Sequence, residues 1–233
     1  MILQVNNAAV DPLWHDLNMQ VEPGEFIAVL GPNGAGKSTM LHAILGTRKL
    51  TAGTIEATPD IGFIPQQRMF PMDLPMRAKD LVGLSLAHGV IRGRRASKSA
   101  VLNLLREVGA EDLAERRVGK LSGGQQQLVR QAQAFANDPK LLLCDEPLLS
   151  LDPGVQQRTV ARLDKRRRDH DTAILFVTHG INPILNVVNR VLYLAPYGHM
   201  IGEVHEVMRS DVLSELYRTR VDVVNIDGRL IVV

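Results

Sequence analysis

Cysteine is almost missing: Cys144 stands alone in 233 residues. No disulfide can form within the chain, and a reducing cytosol fits that usage. Aromatic residues are scarce too, at 4% with one tryptophan, while 45% of residues are hydrophobic. The core must therefore be mainly aliphatic, as in parallel α/β folds, and the length supports one sizeable core without disorder. No stretch approaches the roughly 20 apolar residues that span a bilayer, and the N-terminus has no basic segment leading into an apolar h-region. If the chain works at a membrane, the pore is expected on another polypeptide. Charge of one sign is also lacking. Lys plus Arg 27 against Asp plus Glu 25 gives +2, too balanced to make nucleic acid a main partner. The basic clusters Arg92-Gly93-Arg94-Arg95 and Lys165-Arg166-Arg167-Arg168 read as solvated helix ends or loops. His199 and His205 have no companion ligands at metal spacing and read as surface histidines.

What the chain has is a set of short motifs in fixed order. Gly31-Pro32-Asn33-Gly34-Ala35-Gly36-Lys37-Ser38-Thr39 fits Gly-x-x-x-x-Gly-Lys-Ser/Thr. Its flanks are right: Phe26 to Leu30 reads as a buried strand and Met40 to Leu45 as a helix. Gly34 and Gly36 let the backbone curl so that N–H groups face phosphate oxygens, and the following helix presents its positive end to the same anion. Lys37 is expected on the β/γ phosphates of ATP and the Ser38 hydroxyl on Mg²⁺.

Leu141-Leu142-Leu143-Cys144 is a continuous apolar run ending at Asp145-Glu146. Two carboxylates at the end of a strand covered on both faces are costly unless they act there. They read either as a solvated strand end before Pro147 or, with the phosphate loop upstream, as a Mg²⁺ ligand acting through water (Asp145) and a group on the attacking water (Glu146). Adjacent strand residues point to opposite faces, so the two acids can take different roles. Ser122-Gly123-Gly124-Gln125 is a capping box opening a helix from Gln126 to Ala136. Its glycines also allow close backbone approach, which makes that helix start an anion site; with one phosphate loop already present, the anion is expected to be the γ-phosphate held by another copy.

Together these motifs resemble those of the ATP-binding cassette (ABC) ATPases, the motor subunits of membrane transporters, from about Gln4 to Ala195. The resemblance implies a P-loop NTPase core with a mainly parallel sheet, an N-terminal antiparallel β part and an inserted α-helical subdomain. By it, Gln66 is similar to the Q-loop glutamine that senses Mg²⁺ and the attacking water. Asp152 is similar to the D-loop acid that crosses a dimer interface, and His179 to the switch histidine on the γ-phosphate. Read alone, Gln66 is an exposed loop amide, Asp152 an N-cap before Pro153 and His179 a strand-end histidine. The chain departs from the family twice. Asn6 to Val10 has no aromatic on which adenine could stack, Trp14 aligning better with a packing position, and Gly180 stands after His179 where Asp is common.

One cassette domain is expected over 1–233: a catalytic core at 1–66 and 121–195, a helical part at 67–120, and a short extension at 196–233. Val101, Leu104, Leu105 and Val108 share one helix face, a helix runs from Pro153 to about His170, and a strand runs from Thr172 to Thr178. Strand and helix alternation argues for a parallel sheet. The extension reads as a turn at Tyr197-Gly198, a helix from Glu206 to Tyr217 and a hairpin through Asp227-Gly228. The methionine-rich Met69 to Met76 either packs on its own core or offers an adaptable surface where, in the family, a permease helix docks.

The resemblance implies two copies closing head to tail on two ATP·Mg²⁺, at the cytoplasmic face of a membrane, with separate permease subunits and, indirectly, a substrate-binding protein. Val177 to Pro183 and the tail resemble the uptake branch for divalent metals such as manganese and zinc. Iron complexes and cobalamin are neighbouring cargoes. A soluble cassette ATPase acting on ribosomes or DNA is the alternative class, although the chain has neither a second cassette nor a long coiled coil.

Overall fold

Alternating buried and exposed residues build the first sheet. β1 (Leu3–Val10) and β2 (Trp14–Val21) pair antiparallel with Leu3, Val5, Leu17, Met19 and Val21 buried. β3 (Phe26–Leu30) is buried at every residue and leads through the glycine-rich loop into α1 (Lys37–Ile44). β4 (Ala52–Ala57) then adds antiparallel to the free edge of β1, giving the order β2-β1-β4. The molecule is described by a computed structural model over residues 1–66, 69–86 and 96–233. The Arg92 to Arg95 cluster lies outside the described residues.

After β5 (Ile61–Ile64) come α2 (Ala78–Leu86), α3 (Lys98–Glu107) and α4 (Gly123–Phe135). The α/β alternation resumes with β6 (Leu141–Asp145), α5 (Pro153–His170), β7 (Ala173–Val177) and β8 (Arg190–Ala195). β9 (Gly198–Glu203), α6 (Val204–Val207), α7 (Ser210–Tyr217), β10 (Val223–Ile226) and β11 (Arg229–Val232) complete the chain. The central sheet runs β5-β6-β7-β3-β8-β9, parallel throughout except for β9, which is antiparallel to β8. The fold is thus mixed α/β with a mainly parallel sheet and an antiparallel N-terminal part, as expected.

Both faces of that sheet are covered, which is why β3, β6 and β7 are apolar without alternation. Ile27, Val29, Leu143, Leu175 and Val177 pack with β1, β2 and α1 on one side. Phe26, Ala28, Leu142, Ile174 and Phe176 pack with α2 to α5 on the other, against Val82, Leu105, Val129, Phe135 and Leu163. Each such fully buried Val, Leu, Ile or Phe contributes about 1.5–3 kcal/mol relative to leaving it in water. One buried charge crosses this layer: Arg166 of α5 donates to Glu107 of α3 at 2.9 Å and to Asp138 at 2.6 Å, over the Phe135 ring.

Helix starts follow their caps. Ser122 and Gln125 form the reciprocal capping box, so α4 begins at Gly123 rather than Gln126. Asp152 Oδ1 accepts from Val155 N at 3.0 Å with Pro153 at the first helical position. The tail differs from expectation at two places. Instead of one helix from Glu206 there are two, because the chain turns at Met208 and becomes extended at Arg209, which lets Val207, Met208 and Leu213 all reach the core. The β8–β9 turn is Pro196-Tyr197, one residue earlier than predicted, since Ala195 pairs with Gly198 and proline presets the first turn position. Asp227 and Gly228 make the second hairpin, both in the left-handed region.

In the segment after Gln66, Met69 and Met72 are exposed, whereas Phe70 turns inward, its N–H donating to the buried Gln126 side chain at 2.8 Å. Among the described residues no helix is long and apolar enough to cross a membrane, and no group of three or more His, Cys, Asp or Glu is placed to hold a metal. His205 is exposed beside Glu203. His199 departs from the surface reading: it is half-buried, and desolvation pulls its imidazole below the ordinary histidine range.

Candidate functional site: a phosphate loop at the sheet's carboxyl edge

The parallel strands deliver their C-terminal ends to one edge, where an open α/β sheet places ligands. β3 ends in the loop 31–36, β6 in Asp145 and Glu146, and β7 in Thr178 and His179. β5, next to β6, leads to Gln66. Topology alone thus gathers residues separated by more than a hundred positions.

Gly36 caps α1 in the left-handed conformation, φ 87° and ψ 18°. Behind it lies Trp14, buried, with its indole edge in the space a Gly36 side chain would need. The tryptophan therefore packs under the loop and does not offer an open stacking face. Gly34 also has positive φ, 82°, but its side-chain direction is empty to 4 Å. The loop is tight on its protein side and open on its outer side, as a phosphate cradle requires.

Lys37 is buried, and its Nζ donates to the Gly31 carbonyl at 2.8 Å and the Pro32 carbonyl at 2.9 Å, straddling the loop. Burial pulls its ammonium below the ordinary lysine value, with Glu146 and Asp145 opposing. Ser38 Oγ donates to Asp145 Oδ1 at 2.9 Å. Desolvation pushes the Asp145 carboxyl above its ordinary value, the Ser38 bond opposes, and Glu146 adds to the upward push. A hydroxyl and a carboxylate adjoining a phosphate cradle are hard oxygen donors, a set that fits Mg²⁺.

Glu146 has φ 47°, unusual for a residue with a side chain, and strain of this kind gathers at functional sites. Its carboxylate meets His179 Nε2 at 2.7 Å through Oε1 and accepts from Gln66 Nε2 at 3.3 Å through Oε2. A cavity of about 220 Å³ adjoins Glu146 and His179, bounded also by Leu149, Ser150, Gln156 and Gly180. Ser38 and Asp145 thus form one hydrogen-bonded pair with the Lys37 charge nearby, and Glu146, Gln66 and His179 a second group beside it. Cys144, the preceding strand residue, is fully buried, and its thiol is pushed well above the ordinary range.

Ser122 to Gln125 and Asp152 stand apart. Among the described residues no hydrogen bond or ion pair joins them to either group. The start of α4 is partly open, with nothing near the side-chain direction of Gly124. Two contacts have no local sequence signal. Gln126 bridges Phe70 N–H and the Leu121 carbonyl, and Asn182 bonds the tail. Only their polar type in an apolar or loop setting could have raised them for attention.

A sequence model of the ABC transporter family matches residues 14–149, more than half of the chain. The chain belongs to the ABC transporter family. As an ABC ATPase it is an ATP-hydrolysing P-loop enzyme. Its relatives include the zinc import ATP-binding protein ZnuC of Cereibacter sphaeroides, 33% identical over 186 residues, covering 79% of this chain and 73% of that protein. The manganese transport system ATP-binding protein MntB of Halalkalibacterium halodurans is 31% identical over 93% of this ABC ATPase and 92% of its own length. The molybdate import ATP-binding protein MolC of Haemophilus influenzae is 32% identical over 88% and 81%. Among solved structures, a transporter assigned to the metal-chelate type, in an inward-facing conformation, superposes with TM-score 0.85 at 27% identity, covering 99% of this chain and 95% of that one. A dimeric bacterial ABC transporter cassette gives 0.72 at 28% identity, over 87% and 99%.

Proposed function

We propose that this ABC ATPase is the Mg²⁺-dependent motor of an importer for a divalent metal ion such as zinc or manganese, working as a head-to-tail pair on the cytoplasmic face of a membrane. The observation that carries the reading is the pair of side-chain groups at the sheet edge, together with a capped start of α4 that no hydrogen bond or ion pair among the described residues joins to either group. One chain holds the phosphates on Gly31 to Thr39. The Ser122 to Gln125 amides and hydroxyl of a second copy complete the site, with Asp152 at the contact between copies.

In this reading Lys37 leaves the Gly31 and Pro32 carbonyls for the β/γ phosphates, where its charge opposes the charge that develops during transfer. Ser38, Asp145 through water, and Gln66 would hold Mg²⁺, which when bound neutralises phosphate oxygen charge. Glu146 takes a proton from the attacking water as oxygen bonds to the γ-phosphorus. The bond to the β-phosphate oxygen breaks, and ADP leaves with that electron pair. His179 holds a γ-phosphate oxygen, and its contact with Glu146 keeps the two groups side by side at the same reacting centre. Loss of the γ-phosphate removes the charge that joined the copies, and they part.

The domain division follows the same logic: core at 1–66 and 121–195, helical part at 67–120, extension at 196–233. The exposed Met69 and Met72 are the surface proposed for a separate permease. The zinc and manganese relatives support the metal cargo, and the molybdate relative supports an oxyanion as the second reading. Co-expression with genomically adjacent membrane-spanning and binding proteins, followed by reconstitution in vesicles, tests both. Zn²⁺ or Mn²⁺ should stimulate Mg²⁺-dependent ATP hydrolysis through the loaded binding protein. Stimulation by molybdate alone would move the cargo to oxyanions, and a chain that neither joins the membrane fraction nor responds to any of the three would refute the motor reading.

A further inference from the structure

The loop carrying His179 is braced on both sides of the histidine. At its start Thr178 Oγ1 donates to the Gly180 carbonyl at 3.1 Å and accepts from Gly180 N at 3.4 Å. Gly180 has no side chain, and nothing lies within 4 Å of where one would be. Farther along, Ile181 and Ile184 anchor the segment in the core. Between them Asn182 makes two bonds to one residue of β11: Nδ2 donates to the Leu230 carbonyl and Oδ1 accepts from Leu230 N, both at 2.9 Å.

That pairing uses the backbone groups of Leu230 that face away from β10, so the Asn182 carboxamide occupies the position of a neighbouring strand. The hairpin it grips is itself fixed. Val223 N donates to Ser210 Oγ at 2.9 Å, Ser214 Oγ exchanges bonds with Val221, and Leu230 packs against the core. A two-point amide clamp sets orientation as well as distance, which one bond would not. It lies three residues from the imidazole that meets Glu146 at 2.7 Å.

We propose that Asn182 is a positioning residue for His179, and that the C-terminal hairpin is the fixed body against which it holds the switch loop. This rests on the role given to His179 above. The tail then sets hydrolysis rate without touching nucleotide, and ATP held by the phosphate loop is bound as before.

The test is a double-mutant cycle on the full chain, read by single-turnover ATP hydrolysis with Mg²⁺ and by ATP affinity from Trp14 fluorescence. Asn182→Ala should lower the hydrolysis rate roughly three- to ten-fold, the loss expected from hydrogen bonds of this kind, with affinity changed less than about two-fold. Asn182→Asp keeps the acceptor for Leu230 N but turns a carboxylate oxygen toward the Leu230 carbonyl, so its rate should also fall below native. In a His179→Ala background, Asn182→Ala should change the rate less than about two-fold, because residues acting through one another are not additive. The proposal is overturned if Asn182→Ala hydrolyses at the native rate, or if its loss persists undiminished in the His179→Ala background, which would mark a purely structural role. A native rate in His179→Ala itself would instead remove the role given to the histidine, and the proposal with it.

Discussion

Gly36→Ala is expected to damage the fold more than Gly34→Ala, although both glycines lie in the same loop with similar φ, 87° and 82°. An L-residue forced into the left-handed region costs about 1–2 kcal/mol at either position. At Gly36 the added methyl would also sit 2.9 Å from Cδ1 and Nε1 of Trp14 and 3.0 Å from Leu13 Cβ, whereas at Gly34 it would meet nothing within 4 Å. The indole is 4% exposed and belongs to the core cluster under β1 and β2, so it cannot swing aside, and overpacking of this kind costs about 1–3 kcal/mol more. Summed, Gly36→Ala loses about 2–5 kcal/mol and Gly34→Ala about 1–2. For a chain of this size each kcal/mol moves Tm by about 2–4 °C. Urea unfolding followed by the fluorescence of the single tryptophan measures both variants with a probe at the affected spot. ATP affinity should show the reverse order relative to stability: Gly34→Ala puts its methyl on the loop's open side and should lose binding out of proportion to its small stability cost. Equal destabilisation of the two variants would refute the packing of Trp14 against the loop.

Removing the Asp145 charge should stabilise the nucleotide-free protein while abolishing its activity. A carboxyl whose folded-state pKa is raised favours folding only while protonated, and that contribution is lost as pH rises through the raised value. Asp145→Asn should therefore raise the urea midpoint at neutral pH, with the gain shrinking as pH falls toward the ordinary aspartate value of 3.8, and ATP turnover lost at every pH. Arg166→Ala should cost about 2–4 kcal/mol, below the full penalty of breaking a buried pair, because Glu107 and Asp138 are partly exposed and can rehydrate. Thermal unfolding gives its size, and faster amide exchange in α3 should accompany it.

The phosphate loop and the strand ending in Asp145 were legible because the chemistry proposed for them demands local patterns, whereas Gln66 and His179 were raised only by the family resemblance. A phosphate cradle needs glycines before a helix, and a buried central strand needs an unbroken apolar run, so 26–30 and 141–145 could be placed within a residue. The capping pairs Ser122 with Gln125 and Asp152 with Val155 were legible for the same reason, being contacts over three residues. Contacts made only by the folded chain were not. Asn182 and Leu230 are 48 residues apart, and neither type announces the other. The left-handed backbone of Glu146 is imposed by the turn out of β6, since local propensity would not select it for glutamate. The break between α6 and α7 is likewise a tertiary choice: helical periodicity runs through Met208, and burial of Val207, Met208 and Leu213 overrides it.

Glu146 of one chain and the α4 start of a second are proposed to act on one ATP. ATP hydrolysis and particle mass by light scattering, for the native chain and Glu146→Gln with ATP and Mg²⁺, address both halves at once. The expected result is that the native chain turns over ATP, whereas Glu146→Gln stops turning over and accumulates as an ATP-dependent dimer. A Glu146→Gln protein that hydrolyses as fast as native and stays monomeric with ATP bound would contradict it.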